Sequence, residues 1–278
     1  MNADALVAEP LVDADWIATH LFDENVRIVE VDVAPAAYRE GHIPGAVLWN
    51  IYSDLRHPDY SPITTAELER LLSRSGVAAE TTVVFYGYGA HLGFWLMRSH
   101  GHDDVRLMDG PREQWLEAGR RWSLDAPEPA PASYPTLLCD PRLCRSREAV
   151  LAAIGKDGEV ILDVRSQAEY DGDRFWPSGA TEGAGRAGRI PGSVHLPIER
   201  LRTGDGRFRD PDELRELLLA HGITPGHRVV TYCTIGNRAS QAWYALAHLL
   251  DHVDAGVYGG SWAEWGTLPD TPVETGSA

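Results

Sequence analysis

The sequence predicts an α/β protein of two similar domains, each a mainly parallel sheet flanked by helices. Three observations predict it. Short apolar, β-branched runs alternate with amphipathic runs of helical period, the pattern of strands joined by crossover helices. The order of these runs repeats: 160–165 matches 28–33, 188–194 matches 41–47, 212–221 matches 64–75, 229–232 matches 83–86 and 260–265 matches 110–115. Between the copies, 126–135 reads Ala-Pro-Glu-Pro-Ala-Pro-Ala-Ser-Tyr-Pro, a semi-rigid extended linker. The expected division is therefore 1–124, a linker at 125–138, and 139–278.

In the first copy, Asp13 stands before a helical spacing of Trp16, Ile17 and Leu21. The run 26–33 is a strand. Tyr38-Arg39-Glu40-Gly41-His42-Ile43-Pro44-Gly45-Ala46-Val47 is a loop that leads into a short apolar strand. Thr64-Thr65-Ala66-Glu67 caps an amphipathic helix over 64–75. A buried strand at 82–86, a loop at 87–91, a helix over 92–100, a strand at 105–108 and a short helix through Trp115 complete the unit. The second copy follows the same plan. It adds a Gly-rich insertion at 171–187 that carries Arg174 and Arg186, and a loop so placed can reach the strand ends.

Charge bounds the partners. The chain has 278 residues and a formal net charge of −16. Nucleic acid is not an expected partner, because such binding is driven by phosphate neutralisation. An anionic substrate must find a locally positive pocket within a negative field. No apolar run reaches transmembrane length, so no membrane is expected. The first residues lack the basic and apolar regions of a secretory signal. The three cysteines are too few for a disulfide scaffold. Cys139 and Cys144 are read as structural or incidental thiols, with no metal site, and a reducing cytoplasm fits.

Chemistry concentrates at Cys233-Thr234-Ile235-Gly236-Asn237-Arg238. The apolar run ending at Tyr232 reads as a strand, and 241–250 reads as a helix starting near Ala239. Ligands of parallel sheets bind beyond the carboxyl ends of the strands, where Cys233 stands. A lone cysteine after a buried strand is usually a small core residue. Here the N–H groups of Thr234, Ile235, Gly236 and Asn237 converge before a helix N-terminus, and Arg238 follows. Dipoles and cation favour a thiolate, which is a nucleophile. The first copy has Gly87 at the matching place, so only the second copy carries one. Asp163 reads as structural, and Arg165 as either its partner or a substrate contact.

These residues resemble a tandem rhodanese-domain sulfurtransferase over nearly the whole chain. The markers are Asp163-Val164-Arg165, Gly41-His42-Ile43-Pro44-Gly45 with its second copy, the loop from Cys233 to Arg238, and Tyr258-Gly259-Gly260-Ser261-Trp262. The loop is similar to the Cys-x-Ile-Gly-x-Arg-x-Ser of actinobacterial-type thiosulfate sulfurtransferases. The resemblance implies a non-catalytic first domain and a catalytic second domain, with the site in the cleft between them and no cofactor. It implies transfer of sulfane sulfur from thiosulfate to cyanide or a thiol through a Cys233 persulfide. Arg238 is expected to hold the anionic donor. Thr234, Ile235, Gly236 and Asn237, with Arg165 and Arg186, are expected to line its site. Arg189 stands where the family's second Gly-His-Ile-Pro-Gly has its histidine. The alternatives are a 3-mercaptopyruvate sulfurtransferase and a sulfur-carrier module without efficient turnover. A cysteine phosphatase of this fold would need one more residue between cysteine and arginine.

Overall fold

The computed structural model describes residues 10–135 and 137–276. The N-terminal residues read for a secretory signal lie outside them. Among the described residues no helix is long and apolar enough to cross a membrane. The chain divides into two compact units. One takes in the described residues through Arg56 together with Ile63–Cys139, and the other takes in His57–Pro62 and the described residues from Asp140 onward.

Each unit holds a five-stranded sheet. The first contains β1 (Leu11–Val12), β2 (Val26–Asp32), β3 (Val47–Asn50), β4 (Thr82–Tyr86) and β5 (Val105–Met108), in the order β1-β5-β4-β2-β3. The second contains β6 (Cys144–Arg145), β7 (Glu159–Asp163), β8 (Val194–His195), β9 (Arg228–Tyr232) and β10 (Ala255–Tyr258), in the order β6-β10-β9-β7-β8. The orders are the same and all the pairings are parallel, so the repeat seen in sequence is a repeat of topology.

Parallel strands covered on both faces read as unbroken apolar runs. Val83, Val84, Phe85 and Tyr86 of β4 are all fully buried. Phe85 meets the edge of Trp49 at 5.3 Å between centroids. The helix Ala90–Ser99 lies on the same ring because residue 93 is glycine; a Cβ there would stand 2.6 Å from Phe85. Val84 and Tyr86 instead join Ile17, Ile28, Ile43, Met108 and Trp115 in a second cluster. Helix starts follow their caps. Asp13 accepts the Trp16 N–H at 2.7 Å before Ala14–Thr19, and Thr64 and Glu67 form a capping box before Thr65–Arg74. Each such cap stabilises its helix by about 1 kcal/mol.

Two expectations need correction. Matching 160–165 to 28–33 position by position sets Asp163 on Val31, but Asp163 pairs with Tyr232 while Glu30 pairs with Tyr86. Glu30 is thus the true counterpart. The runs Glu-Val-Asp and Asp-Val-Arg allow either alignment, and the pleat decides, since a slip of one residue turns every side chain to the other face. Cys139 and Cys144, read as thiols, are disulfide-bonded, and Cys233 is the free cysteine.

Candidate active site

β9 lies between β10 and β7, so its carboxyl end is central to the second sheet. After Tyr232 the chain passes through residues 233–236 into the helix Asn237–Tyr244, and a π turn continues over Ala245–Leu249. The helix starts before the expected Ala239, which brings its positive pole closer to Cys233. Gly236 is the cap and is left-handed, with φ 86°. Only glycine takes that conformation without cost. In it the Gly236 N–H donates to the Cys233 Sγ at 3.1 Å. The cysteine is buried.

The first turn of the helix Ser261–Trp265 fixes the Cys233 backbone. Its N–H donates to the Ser261 Oγ at 3.2 Å, and its carbonyl accepts the Trp262 N–H at 2.9 Å. The Thr234 carbonyl accepts the Ala263 N–H at 2.9 Å. Ser261 is itself left-handed, with φ 54°, and its Oγ donates to the Tyr258 carbonyl at 2.9 Å. Backbone held in so sparsely populated a region persists where its surroundings over-determine it. In the first unit Gly87 occupies the cysteine's place. There the helix Ala90–Ser99 begins one residue sooner after its strand.

Arg238 does not end the loop as expected; it sits in the first helical turn. A cation is unfavourable at a helix N-terminus unless compensated, and Glu169 compensates it. The guanidinium donates to both oxygens of Glu169, at 2.9 and 2.7 Å, and to the Thr234 Oγ1 at 2.7 Å. The Thr234 hydroxyl donates to the Glu169 Oε1 at 2.6 Å. The Ser166 N–H and hydroxyl donate to the Oε2 at 3.1 and 2.7 Å, closing a capping box on the helix Gln167–Tyr170. Arg238 therefore faces a carboxylate of its own chain.

Glu169 is fully buried. Burial disfavours its charge, but Arg238, Thr234 and Ser166 outweigh that and hold its carboxyl down at about 2. The folded value lies below the unfolded one, so the stabilisation is complete above about pH 4.5 and fades as pH falls toward 2. The span corresponds to ~3 kcal/mol. Urea unfolding at a series of pH values should show wild type losing this increment between about pH 4.5 and 2, while Glu169→Gln does not. Parallel curves for the two proteins would refute it.

Arg165 and Arg186 are not at the cradle. Arg165 is wholly buried and holds Asp163 through Nε at 3.0 and 3.1 Å and Nη2 at 2.6 Å. It also donates to the Gly188 carbonyl at 2.7 Å and stacks on Trp262 at 4.6 Å. The Tyr232 hydroxyl donates to the same Asp163. Arg165 therefore supports Tyr232, which precedes Cys233, and Trp262, whose N–H meets the Cys233 carbonyl, from within the core. Arg186 donates to the carbonyl of Trp265, the last residue of the helix Ser261–Trp265, at 3.4 Å, and to those of Leu268 and Thr271 beyond it, the latter at 2.9 Å. Orphan carbonyls there attract a cation, so the arginine of the insertion closes a helix end. Arg174 likewise donates to the Pro177 carbonyl at 2.9 Å. Arg189 pairs with Glu274 at 2.8 Å and stacks on Tyr170, as His42 stacks on Tyr38 in the first unit. Thr234, Ile235, Gly236 and Asn237 are all buried, and the Gly236 N–H meets the Cys233 sulfur.

Neither Glu169 nor Ser261 is among the expected site residues, although Ser261 lies within one of the markers of the resemblance. The Ser166-x-x-Glu169 capping pattern is visible in the sequence. Its link to Arg238 spans 69 residues and is not.

Known proteins are similar to the chain over nearly its whole length. The rhodanese-like domain pattern matches residues 13–118 and 146–268. The chain is 39% identical to the sulfur carrier protein TtuD of Thermus thermophilus, covering 96% of this chain and 97% of that one. It is also 39% identical to a Mycobacterium tuberculosis protein with the provisional name thiosulfate sulfurtransferase SseA, covering 96% and 91%. Among solved structures, the anaerobic ergothioneine biosynthesis enzyme of Chlorobium limicola, in complex with trimethyl histidine, superposes with a TM-score of 0.84 at 26% identity. That match covers 97% of this chain and 71% of that one. A structure of EanB with ergothioneine covalently linked to a cysteine persulfide superposes at 0.85 with 27% identity, covering 97% and 70%.

Proposed function

The chain belongs to the rhodanese-like family of sulfurtransferases, and on that premise we propose that it moves sulfane sulfur from thiosulfate to a thiol, or to cyanide in assay, through a persulfide on Cys233. The carrying observation is the Gly236 N–H aimed at Sγ at 3.1 Å, at the start of a helix. The persulfide that EanB forms on a cysteine supports the same chemistry here.

The relay is a form of covalent catalysis. The Cys233 thiolate attacks the outer sulfur of thiosulfate. The S–S bond of the donor breaks and its electron pair leaves with sulfite. The terminal sulfur of the new persulfide takes the place vacated in the cradle, where N–H groups stabilise its charge. An acceptor thiolate or cyanide then attacks that sulfur, the S–S bond breaks, and the Cys233 thiolate returns with the electron pair. The products are a new persulfide or thiocyanate.

Intact mass after thiosulfate treatment tests the first half: the chain should gain one sulfur atom, released again by cyanide. For the donor, kcat/KM should be larger for thiosulfate than for 3-mercaptopyruvate. The loop reads Thr234-Ile235-Gly236 in place of the small Gly-Ser/Thr pair of mercaptopyruvate enzymes. A larger value for mercaptopyruvate overturns the assignment. One observation favours a second reading, since a relative at 39% identity is named a sulfur carrier. A carrier loads sulfur once and turns over slowly with thiosulfate and cyanide, and steady-state kinetics separate the two.

A further inference from the structure

We propose that Glu169 sets the charge of the Cys233 cradle and so ranks the sulfane donors that react as thiosulfate does: a singly charged thiosulfonate is taken in preference to doubly charged thiosulfate, which remains a donor. This rests on the sulfurtransferase reading above and names the substrate class of the same site.

Arg238 is the cation of the loop, and the guanidinium is closed upon Glu169 by paired contacts at 2.9 and 2.7 Å. Glu169 is fully buried and stays ionised far below neutral pH. Its two oxygens accept five hydrogen bonds, from Arg238, Thr234 and Ser166. The pair sums to zero charge, so the loop offers a donor only its peptide dipoles. Dipoles of N–H groups and one helix end amount to roughly half a positive charge. That suits a monoanion and leaves the second charge of a dianion unmatched. Thr234 ties the pair to the residue after the nucleophile, so the carboxylate belongs to the cradle itself.

Methanethiosulfonate is the probe. It has the shape of thiosulfate, with a methyl group in place of one charged oxygen, and carries one charge. Attack by the Cys233 thiolate on its outer sulfur breaks the S–S bond, releases methanesulfinate with the electron pair, and leaves the same persulfide.

The experiment compares kcat/KM for the two donors in the full chain, for wild type, Glu169→Gln, and Glu169→Gln combined with Arg238→Gln. Wild type should favour the monoanion. Glu169→Gln uncovers the Arg238 charge and should move the donor ratio toward thiosulfate by about three- to tenfold, mostly through KM, the scale of one partly screened charge. The double variant is neutral again and should return the ratio to the wild-type value. A merely structural Glu169 would lower both donors together and leave the ratio alone, which overturns the proposal. If Glu169→Gln does not fold, wild type alone still decides. Raising the ionic strength screens the field of the whole chain but not a buried pair. A monoanion preference that survives high salt supports the proposal, and one that vanishes overturns it. If both donors load Cys233 with equal KM in wild type, the proposal falls and the sulfurtransferase reading stands. If neither donor loads Cys233, that reading fails and takes the proposal with it.

Discussion

Cys233→Ser should abolish persulfide formation and lower transfer by at least about 10³-fold, since the covalent route is lost outright. A serine hydroxyl is not ionised at neutral pH and cannot hold a transferable sulfur. The substitution is nearly isosteric, and the Gly236 N–H that meets Sγ at 3.1 Å can still donate to an oxygen. Stability should therefore change by no more than about 1 kcal/mol, so lost activity cannot be blamed on unfolding. Cys139→Ser and Cys144→Ser are the controls. They remove a disulfide bond and should cost stability while transfer remains. Mass spectrometry after thiosulfate, with melting curves for all three variants, checks this. Full transfer by Cys233→Ser would end the proposed mechanism.

How far such a site can be read from sequence depends on the range of the interactions that build it. The sheets were legible because periodicity is local: the run at 229–232 and the cap at Thr64 both formed where the pattern put them. The repeat was legible because order survives divergence. Arg186 and Arg238 were not, because each is placed by a partner distant in sequence. Arg186 is drawn to carbonyls 82 to 85 residues away, and Arg238 to a carboxylate 69 residues away. The two units show how loosely such roles are tied to position. In the second, Arg165 neutralises the buried carboxylate at the end of its own strand and donates to the Gly188 carbonyl. In the first, Asp32 holds the matching place, and Arg112 arrives from beyond β5 instead. It pairs with Glu30 at 3.2 Å, donates to the Gly41 carbonyl and stacks on Trp122. Burial still raises the Glu30 carboxyl. The demand for a cation is conserved in space between the units while the residue that meets it has moved.

The same demand sets the largest expected effect on stability. Arg165→Leu should destabilise the second unit by ~3–5 kcal/mol, because removing one partner of a buried ion pair strands the other. Asp163 would keep only the Tyr232 hydroxyl and the Arg165 backbone N–H, which donates to it at 2.9 Å. For a unit of this size the melting temperature should fall by roughly 10 °C. Arg165→Leu combined with Asp163→Asn removes both charges and should recover much of the loss, since an ion pair replaced by neutral groups is often nearly neutral in stability. A substrate contact predicts something else. Were Arg165 there to hold the donor, Arg165→Leu would leave the melting temperature unchanged and raise the KM for thiosulfate, and Asp163→Asn would rescue nothing. Arg165 is wholly buried, held to Asp163 at 2.6 Å and stacked on Trp262 at 4.6 Å. Its geometry therefore commits it to the first outcome. Thermal unfolding of the single and double variants, beside thiosulfate kinetics below the transition, distinguishes the two. A stable Arg165→Leu protein with a raised KM would return this arginine to the substrate site.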